Sequence, residues 1–389
     1  MRRLLLAAAV LFAGCLAAVA TPAQLEWPEP TAMTLYTVDE SIGGWVGWRV
    51  RSGSTAPVTD AALEPVTALV NAAAPELGLE KLAVELEGPM SYVISLRQQE
   101  AGDGGRYSVF ASGRLEGDTL LVSRTWFRLV REATAEPRGL AVLMPGMFGT
   151  PEDVVQRVEN ELRRSGWAVL RMLAPPARTT ERFVLTVSPD LPTEAVAKTL
   201  ATELDRRAAE PAYAVRAAIA DAIRRRPALE PLSLVAIGMS GSAITMPAVL
   251  ALDPGAFDAA VFVAGGTNSA AIARESNYKG WIDSVHVEWS EGEPTPRELA
   301  GFDAAYLAHA RLDGHHLAPR LTELPTLVMH GTADRAVPAR YGDELWRRLG
   351  RPERWTVPFG HELLFGSLML RAPQIVSWLN EATADVDDR

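Results

Sequence analysis

From Pro137 onward, short apolar runs alternate with longer stretches whose apolar residues recur at helical spacing. Gly139–Met144, Trp167–Leu173, Leu234–Ile237, Phe257–Ala264, Leu324–Met329 and Arg354–Val357 read as strands. Gly139–Met144 and Leu234–Ile237 are apolar throughout. Between them, 150–165, Thr193–Arg226, Ala243–Leu252, Gly342–Leu349 and Leu363–Leu379 read as helices. Thr150 or Pro151 opens the first helix, with Glu152 and Asp153 in the turn where the helix dipole favours acids. Strands alternating with helices predict a parallel sheet joined by crossovers. Residues 266–322 break the rhythm and are long for a single connection.

Upstream of Pro137 the period changes. Residues 21–34 are rich in Pro and Thr and read as a linker. Asp60–Ala73 has helical spacing, with Asp60 placed to cap it. Lys81–Glu87, Ser91–Leu96, Arg106–Ser112 and Thr119–Val130 read as strands, and Gly102–Gly105 and Gly113–Asp118 as turns. The last two strands predict an antiparallel hairpin. Trp45 and Trp48, in Gly-Gly-Trp-Val-Gly-Trp, admit a sugar-stacking role, but packing within a small β module is the favoured reading. Residues 27–131 as a cell-wall or polysaccharide anchor stay open on the same ground.

Composition narrows the picture at two points. The 389 residues carry a formal charge of −10, which argues against a nucleic-acid partner. The N-terminus has Arg2-Arg3 followed by the apolar run Leu4–Phe12 and then small residues, the pattern of an export signal. Ala18-Val19-Ala20 suits signal-peptidase cleavage, giving a signal peptide over 1–20. Phe12-Ala13-Gly14-Cys15 instead resembles a bacterial lipobox, with Cys15 lipid-modified. Cys15 is the single cysteine, so a disulfide within the chain is excluded. No later stretch approaches the ~18 apolar residues of a membrane span, so a lipid on Cys15 would be the one membrane attachment.

Candidate chemistry lies just beyond three of the expected strands. Leu234–Ile237 ends at Gly238-Met239-Ser240-Gly241, and a helix follows at once. A serine on so sharp a turn needs small neighbours, and the helix N-terminus aims free N–H groups at any oxyanion formed there. Leu324–Met329 runs into His330-Gly331-Thr332-Ala333-Asp334-Arg335-Ala336-Val337-Pro338, and Arg354–Val357 into Phe359-Gly360-His361. A serine hydroxyl is a weak nucleophile until a base takes its proton, and the base needs an acid to orient it.

These three stretches, in this order, resemble the α/β-hydrolase superfamily. Ser242 stands where that family's elbow has its second glycine. The resemblance implies a mostly parallel sheet flanked by helices over 136–389, with 266–322 as an insert or lid and a smaller β-rich region over 35–135. The last hairpin of that region belongs either to it or to the sheet, with the boundary before Arg106 or after Arg131. The resemblance also implies Ser240 as nucleophile, His361 as base and Asp334 as orienting acid. Gly241 N–H is one oxyanion donor. The second comes from the loop Pro145-Gly146-Met147, where Met147 is the first choice and Phe148 the weaker one. Proline replaces the family's histidine at the start of that loop. Trp281, Trp289, Phe302 and Tyr306 either line a pocket or pack the insert, and packing is favoured.

The function expected is an exported serine esterase acting on a small acyl substrate, with no cofactor. A prolyl-oligopeptidase-type peptidase is the alternative, although the region before the sheet is too short for a propeller. A surface binding protein that keeps the fold without activity is the non-enzymatic rival. Other residues receive structural readings. His330 supports the acid loop, and His286 and His309 lie on the surface or pack the insert. His315-His316 has no partner at ligand spacing, so no metal is expected. Asp303 and Asp313 could replace Asp334 but follow no strand. Arg224-Arg225-Arg226 could hold an anion, but complementing a helix C-terminus is favoured.

Overall fold

The computed structural model describes residues 25, 27–30, 32–39, 83–86, 106–116, 119–146, 150–174, 179, 181–282 and 284–384. The signal and Cys15, Trp45 and Trp48, the expected helix 60–73, the strand 91–96 and Met147 with Phe148 lie outside them.

The strands are β1 (Ala32–Asp39), β2 (Ala83–Leu86), β3 (Arg106–Glu116), β4 (Thr119–Val130), β5 (Gly139–Met144), β6 (Trp167–Ala174), β7 (Phe183–Val187), β8 (Ser233–Met239), β9 (Ala259–Val263), β10 (Val285–Trp289), β11 (Thr326–Gly331) and β12 (Glu353–Val357). The helices are α1 (Glu152–Arg164), α2 (Thr193–Arg225), α3 (Gly241–Leu252), α4 (Ser269–Glu275), α5 (Lys279–Ile282), α6 (Pro296–His309), α7 (Gly314–Leu317), α8 (Ala339–Arg348) and α9 (His361–Ala382). Most described strands in the main sheet lie in the order β1-β3-β4-β6-β5-β8-β9-β11-β12, with β2 also on β4. The six from β6 to β12 are mutually parallel. β3 and β4 form the expected antiparallel hairpin, and β4 continues it antiparallel onto β6. β3 runs through Gly113 to Glu116, beyond the turn expected from Gly113. β1 opens at Ala32, inside the expected linker, in the strand-forming run Ala-Met-Thr-Leu-Tyr-Thr-Val-Asp.

The continuous apolar runs have a direct physical reading. Every residue of β5 is buried. Leu140, Val142 and Met144 face one core, with α2 and α3, while Ala141 and Leu143 face the other, with α1 and α9. Alternate side chains leave opposite faces of a strand, so two helical layers demand apolar residues at every position. Each fully buried Leu, Val or Met contributes roughly 1.5–3 kcal/mol.

Buried charges pair between α1, β4 and β6. Arg171, 2% exposed, bridges Glu159 at 3.3 Å and Glu152 at 2.5 Å, and Arg128 reaches Glu159 at 3.1 Å. Arg224 and Arg225 pair with Asp221, and Arg226 clamps Glu132 with bonds of 2.7 and 2.8 Å. The Arg226 hydrogen bond holds the Glu132 carboxyl below its ordinary range.

A second, two-stranded sheet joins β7 to β10 in parallel. With α6 and the start of α2 it encloses a third core containing Val187, Leu200, Phe302 and Tyr306, against which Trp289 packs. Among the described residues no helix is long and apolar enough to cross a membrane.

Candidate active site

Ser240 sits between β8 and α3 with φ 51° and ψ −121°, a region that non-glycine residues rarely occupy. Its N–H is held by the Val263 carbonyl at 2.8 Å on the neighbouring strand, and Ile244 N–H returns to its carbonyl at 3.0 Å. Gly238 makes the turn sterically feasible, because a Cβ there would lie 2.8 Å from Met246 Sδ and 3.1 Å from the Ala243 backbone. At the other flank Ser242 donates to the Pro145 carbonyl at 2.5 Å, tying the elbow to the β5 loop. A glycine could not make that bond.

Asp334 follows β11 and is 4% exposed. Its Oδ1 accepts the N–H groups of Ala336 and Val337, both at 2.9 Å, which fixes the plane of the carboxylate. Oδ2 is 2.7 Å from His361 Nδ1, and His361 Nε2 is 2.9 Å from Ser240 Oγ. His361 opens α9 and is 6% exposed, between the rings of Phe365 at 4.9 Å and Tyr278 at 5.7 Å. With Nδ1–H given to the carboxylate, Nε2 is left to accept the serine proton. The structure therefore brings Ser240, His361 and Asp334 into one hydrogen-bonded line. Gly241 is the first residue of α3, where an N–H has no acceptor within the helix. Gly146 N–H, by contrast, is used by Thr150 Oγ1 at 3.0 Å.

A serine elbow after a central parallel strand, with acid and histidine beyond β11 and β12, decides the architecture. The fold is that of an α/β-hydrolase.

No family model matches the chain, and no curated protein matches it. Among solved structures the chain is similar to Est1E from Butyrivibrio proteoclasticus, at 14% identity and TM-score 0.44, over 70% of this chain and 99% of that one. It is also similar to an acylaminoacyl peptidase of Pyrococcus horikoshii, at 13% and 0.44, over 69% of this chain and 41% of that one. A third is the Pyrococcus furiosus esterase Pf2001, at 11% and 0.43, over 71% and 91%. Likenesses this distant carry no weight for function, and the hydrolase fold rests on the chain's own strand order and elbow.

The remaining candidates take no part in the relay. Asp303 pairs with Arg274 through two 2.7 Å bonds. Asp313 receives the N–H groups of Asn268 and Ser269 and the Tyr306 hydroxyl. His330 is fully buried in β11, where burial lowers its basicity. His309 lies against Glu194 at 2.7 Å, and His286 is 3.8 Å from Glu288. His315 Nε2 accepts from Arg348 at 2.7 Å, and His316 Nε2 donates to the Leu307 carbonyl at 2.6 Å.

In front of Ser240 and His361 lies a mainly apolar cavity of about 330 Å³, walled by α2, α4, α5 and the start of β10. Its residues include Tyr306, which thus both packs the third core and reaches the cavity; the Trp281 side chain is outside what is described. Sequence reasoning passed over Thr179, Asp205, Arg207 and Tyr278, all at this cavity. The overlooked signal in α2 is a charged residue every three or four positions, Glu203, Arg207 and Glu210, all buried.

Asp205 accepts the N–H groups of Arg311 and Leu312, both at 2.9 Å. Burial pushes its carboxyl up to about 7, against the opposing pull of those two N–H groups, with Asp313 adding to the rise. The unfolded chain releases this proton near 3.9, so the folded state holds the extra proton between those values. Stability from this group is therefore full at low pH and falls as pH rises toward 7. The rise is worth at most about 4 kcal/mol. Urea unfolding of wild type and Asp205→Asn should show the wild-type advantage shrinking by about 1–3 kcal/mol between pH 5 and pH 8. An equal gap at both pH values would refute the assignment.

Proposed function

We propose that the chain is a serine hydrolase that cleaves carboxylic ester bonds through an acyl-enzyme. The observation that carries this reading is the line Ser240 Oγ–His361 Nε2–Asp334 Oδ2, with separations of 2.9 and 2.7 Å, opening on an apolar cavity. His361 Nε2 takes the serine proton as Oγ attacks the ester carbonyl, and Asp334 balances the imidazolium that forms. Negative charge gathers on the carbonyl oxygen beside Gly241 N–H, with Met147 N–H as the proposed second donor. Nε2 then protonates the departing alcohol. In the second half it takes a proton from water, and the hydroxide releases the acid and restores Ser240. The basic and apolar N-terminus adds an exported location to the proposal.

The experiment is intact-mass spectrometry after treatment with a fluorophosphonate. Wild type should gain one adduct, mapped to Ser240, and Ser240→Ala none. A folded wild type that gains none would overturn the reading.

The two loops that carry acid and base are also packed on each other. A Cβ on Gly331 would lie 2.4 Å from the Phe359 carbonyl oxygen, just ahead of His361, and the same oxygen accepts Ala333 N–H at 3.2 Å. Gly331→Ala must push these loops apart. Displacing a reacting group by about 1 Å costs on the order of 100-fold in rate. We expect kcat/KM for a 4-nitrophenyl ester to fall by about that factor, with a stability loss of about 1–3 kcal/mol. Activity within about threefold of wild type would show that the loops move independently.

A further inference from the structure

The cavity contains a cation whose hydrogen bonds are incomplete. Arg207 is 4% exposed and lines the same cavity as Ser240 and His361. Its Nε donates to Glu203 at 3.0 Å, and its Nη1 donates to the carbonyls of Glu181 at 2.9 Å and Ser284 at 3.2 Å. The guanidinium plane is thus anchored on one side by a carboxylate and two backbone groups. Phe183 adds its ring, 5.7 Å from Cζ. Nη2 is buried and has no hydrogen-bond partner among the described residues. Thr179 Oγ1, also buried and also at the cavity, has none either. A buried donor without an acceptor is costly, and two such groups at one cavity call for a single explanation.

We propose that Arg207 Nη2, assisted by the Thr179 hydroxyl, recognises an uncharged hydrogen-bond acceptor, a ketone or amide carbonyl, on the part of the substrate that fills the cavity. The inference rests on the ester-hydrolase reading and names its substrate class.

Charge decides for a neutral acceptor over a carboxylate. Arg207 is already balanced by Glu203, whose side chain is 7% exposed. Asp313, 4% exposed, and Asp205 also face the cavity, and the cations and anions at its mouth, Lys279 and Glu362, are exposed to solvent. A carboxylate would add a negative charge beside an Arg207 that Glu203 already balances and on the same wall as the buried Asp313, and burying an uncompensated charge is expensive. A carbonyl accepts the same N–H without that cost. The rest of the wall includes Ile244, Ile272, Val285 and Val337, which suit the intervening methylenes.

The test is a matched set of 4-nitrophenyl esters: heptanoate, its 4-, 5- and 6-oxo analogues, and the acyl chain of the same length ending in a carboxylate. The same changes are made in the alcohol of a parallel acetate series. At least one oxo ester should exceed its plain counterpart by roughly 10- to 100-fold in kcat/KM, mainly through KM. The carboxylate ester should fall below both. Arg207→Lys keeps a charge for Glu203 but has no second donor arm, so the oxo preference should collapse to within about threefold. Arg207→Met serves as the second variant. Wild type that labels at Ser240 but treats oxo and plain esters alike would overturn this inference and leave the hydrolase reading standing. So would an Arg207→Lys protein that keeps the preference, or a wild type that prefers the carboxylate. Wild type that does not label at all removes the hydrolase reading itself.

Discussion

Ser240→Ala should lose ester hydrolysis by roughly 10⁴- to 10⁶-fold, because members of a relay that acts as a unit are each indispensable. The variant removes one oxygen and nothing else that holds the elbow. The N–H bond to Val263 at 2.8 Å and the carbonyl bond from Ile244 at 3.0 Å are backbone contacts that alanine retains. Alanine also meets the same backbone requirement at φ 51° as serine does. The urea midpoint should therefore stay within about 1 kcal/mol of wild type while kcat collapses. Steady-state kinetics on a 4-nitrophenyl ester, run beside urea unfolding, separate the two effects. Turnover within tenfold of wild type would remove Ser240 from the chemistry.

Asp334→Asn should cost roughly 10³- to 10⁴-fold in kcat through the tautomer of its partner. The carboxylate serves two sets of donors, the Ala336 and Val337 amides on Oδ1 and His361 Nδ1 on Oδ2. An asparagine that keeps its oxygen toward the two amides turns its NH₂ to Nδ1. The imidazole must then carry its proton on Nε2, the atom that has to accept one from Ser240. Geometry survives while the base is blocked, so KM and fold should change little. A loss below tenfold would mean that a different carboxylate orients His361. Neither Asp303, clamped by Arg274, nor Asp313, holding Asn268, Ser269 and Tyr306, is free for that role.

What the chain disclosed before folding, and what it hid, follow from range. The elbow, the acid loop and Phe359-Gly360-His361 are each encoded within a dozen residues, because each is a strand end and the turn it forces. The central strands of the parallel sheet were equally plain, since burial on both faces leaves them mostly apolar. The β7–β10 sheet was hidden. Phe183–Val187 and Val285–Trp289 are five residues each, lie about a hundred residues apart and alternate between exposed and half-buried positions along most of their length. Each segment is strand-forming by composition, but nothing local says that they pair with each other. Arg207 was hidden for a different reason. In a 33-residue helix, Glu203, Arg207 and Glu210 look like the solvated face, yet their partners lie on distant segments, Glu181 and Ser284 for Arg207 and Ser112 for Glu210. Only tertiary packing reveals that this charged stripe faces inward.

The seam between β4 and β6 bears on how this protein can be inherited and rearranged. Val130 pairs with Val169 and Phe127 with Met172, so the strands upstream of Pro137 are stitched directly into the sheet that carries Ser240. Arg128 adds a charged rivet to Glu159 on α1. A gene fragment beginning at residue 136 would encode every member of the relay and yet leave β6 with a bare row of N–H and C=O groups along an apolar margin. Such a margin recruits whatever strand it meets, including another copy of itself. The recombining unit is thus larger than the reacting one: shuffling that preserves function must carry the hairpin along with the serine.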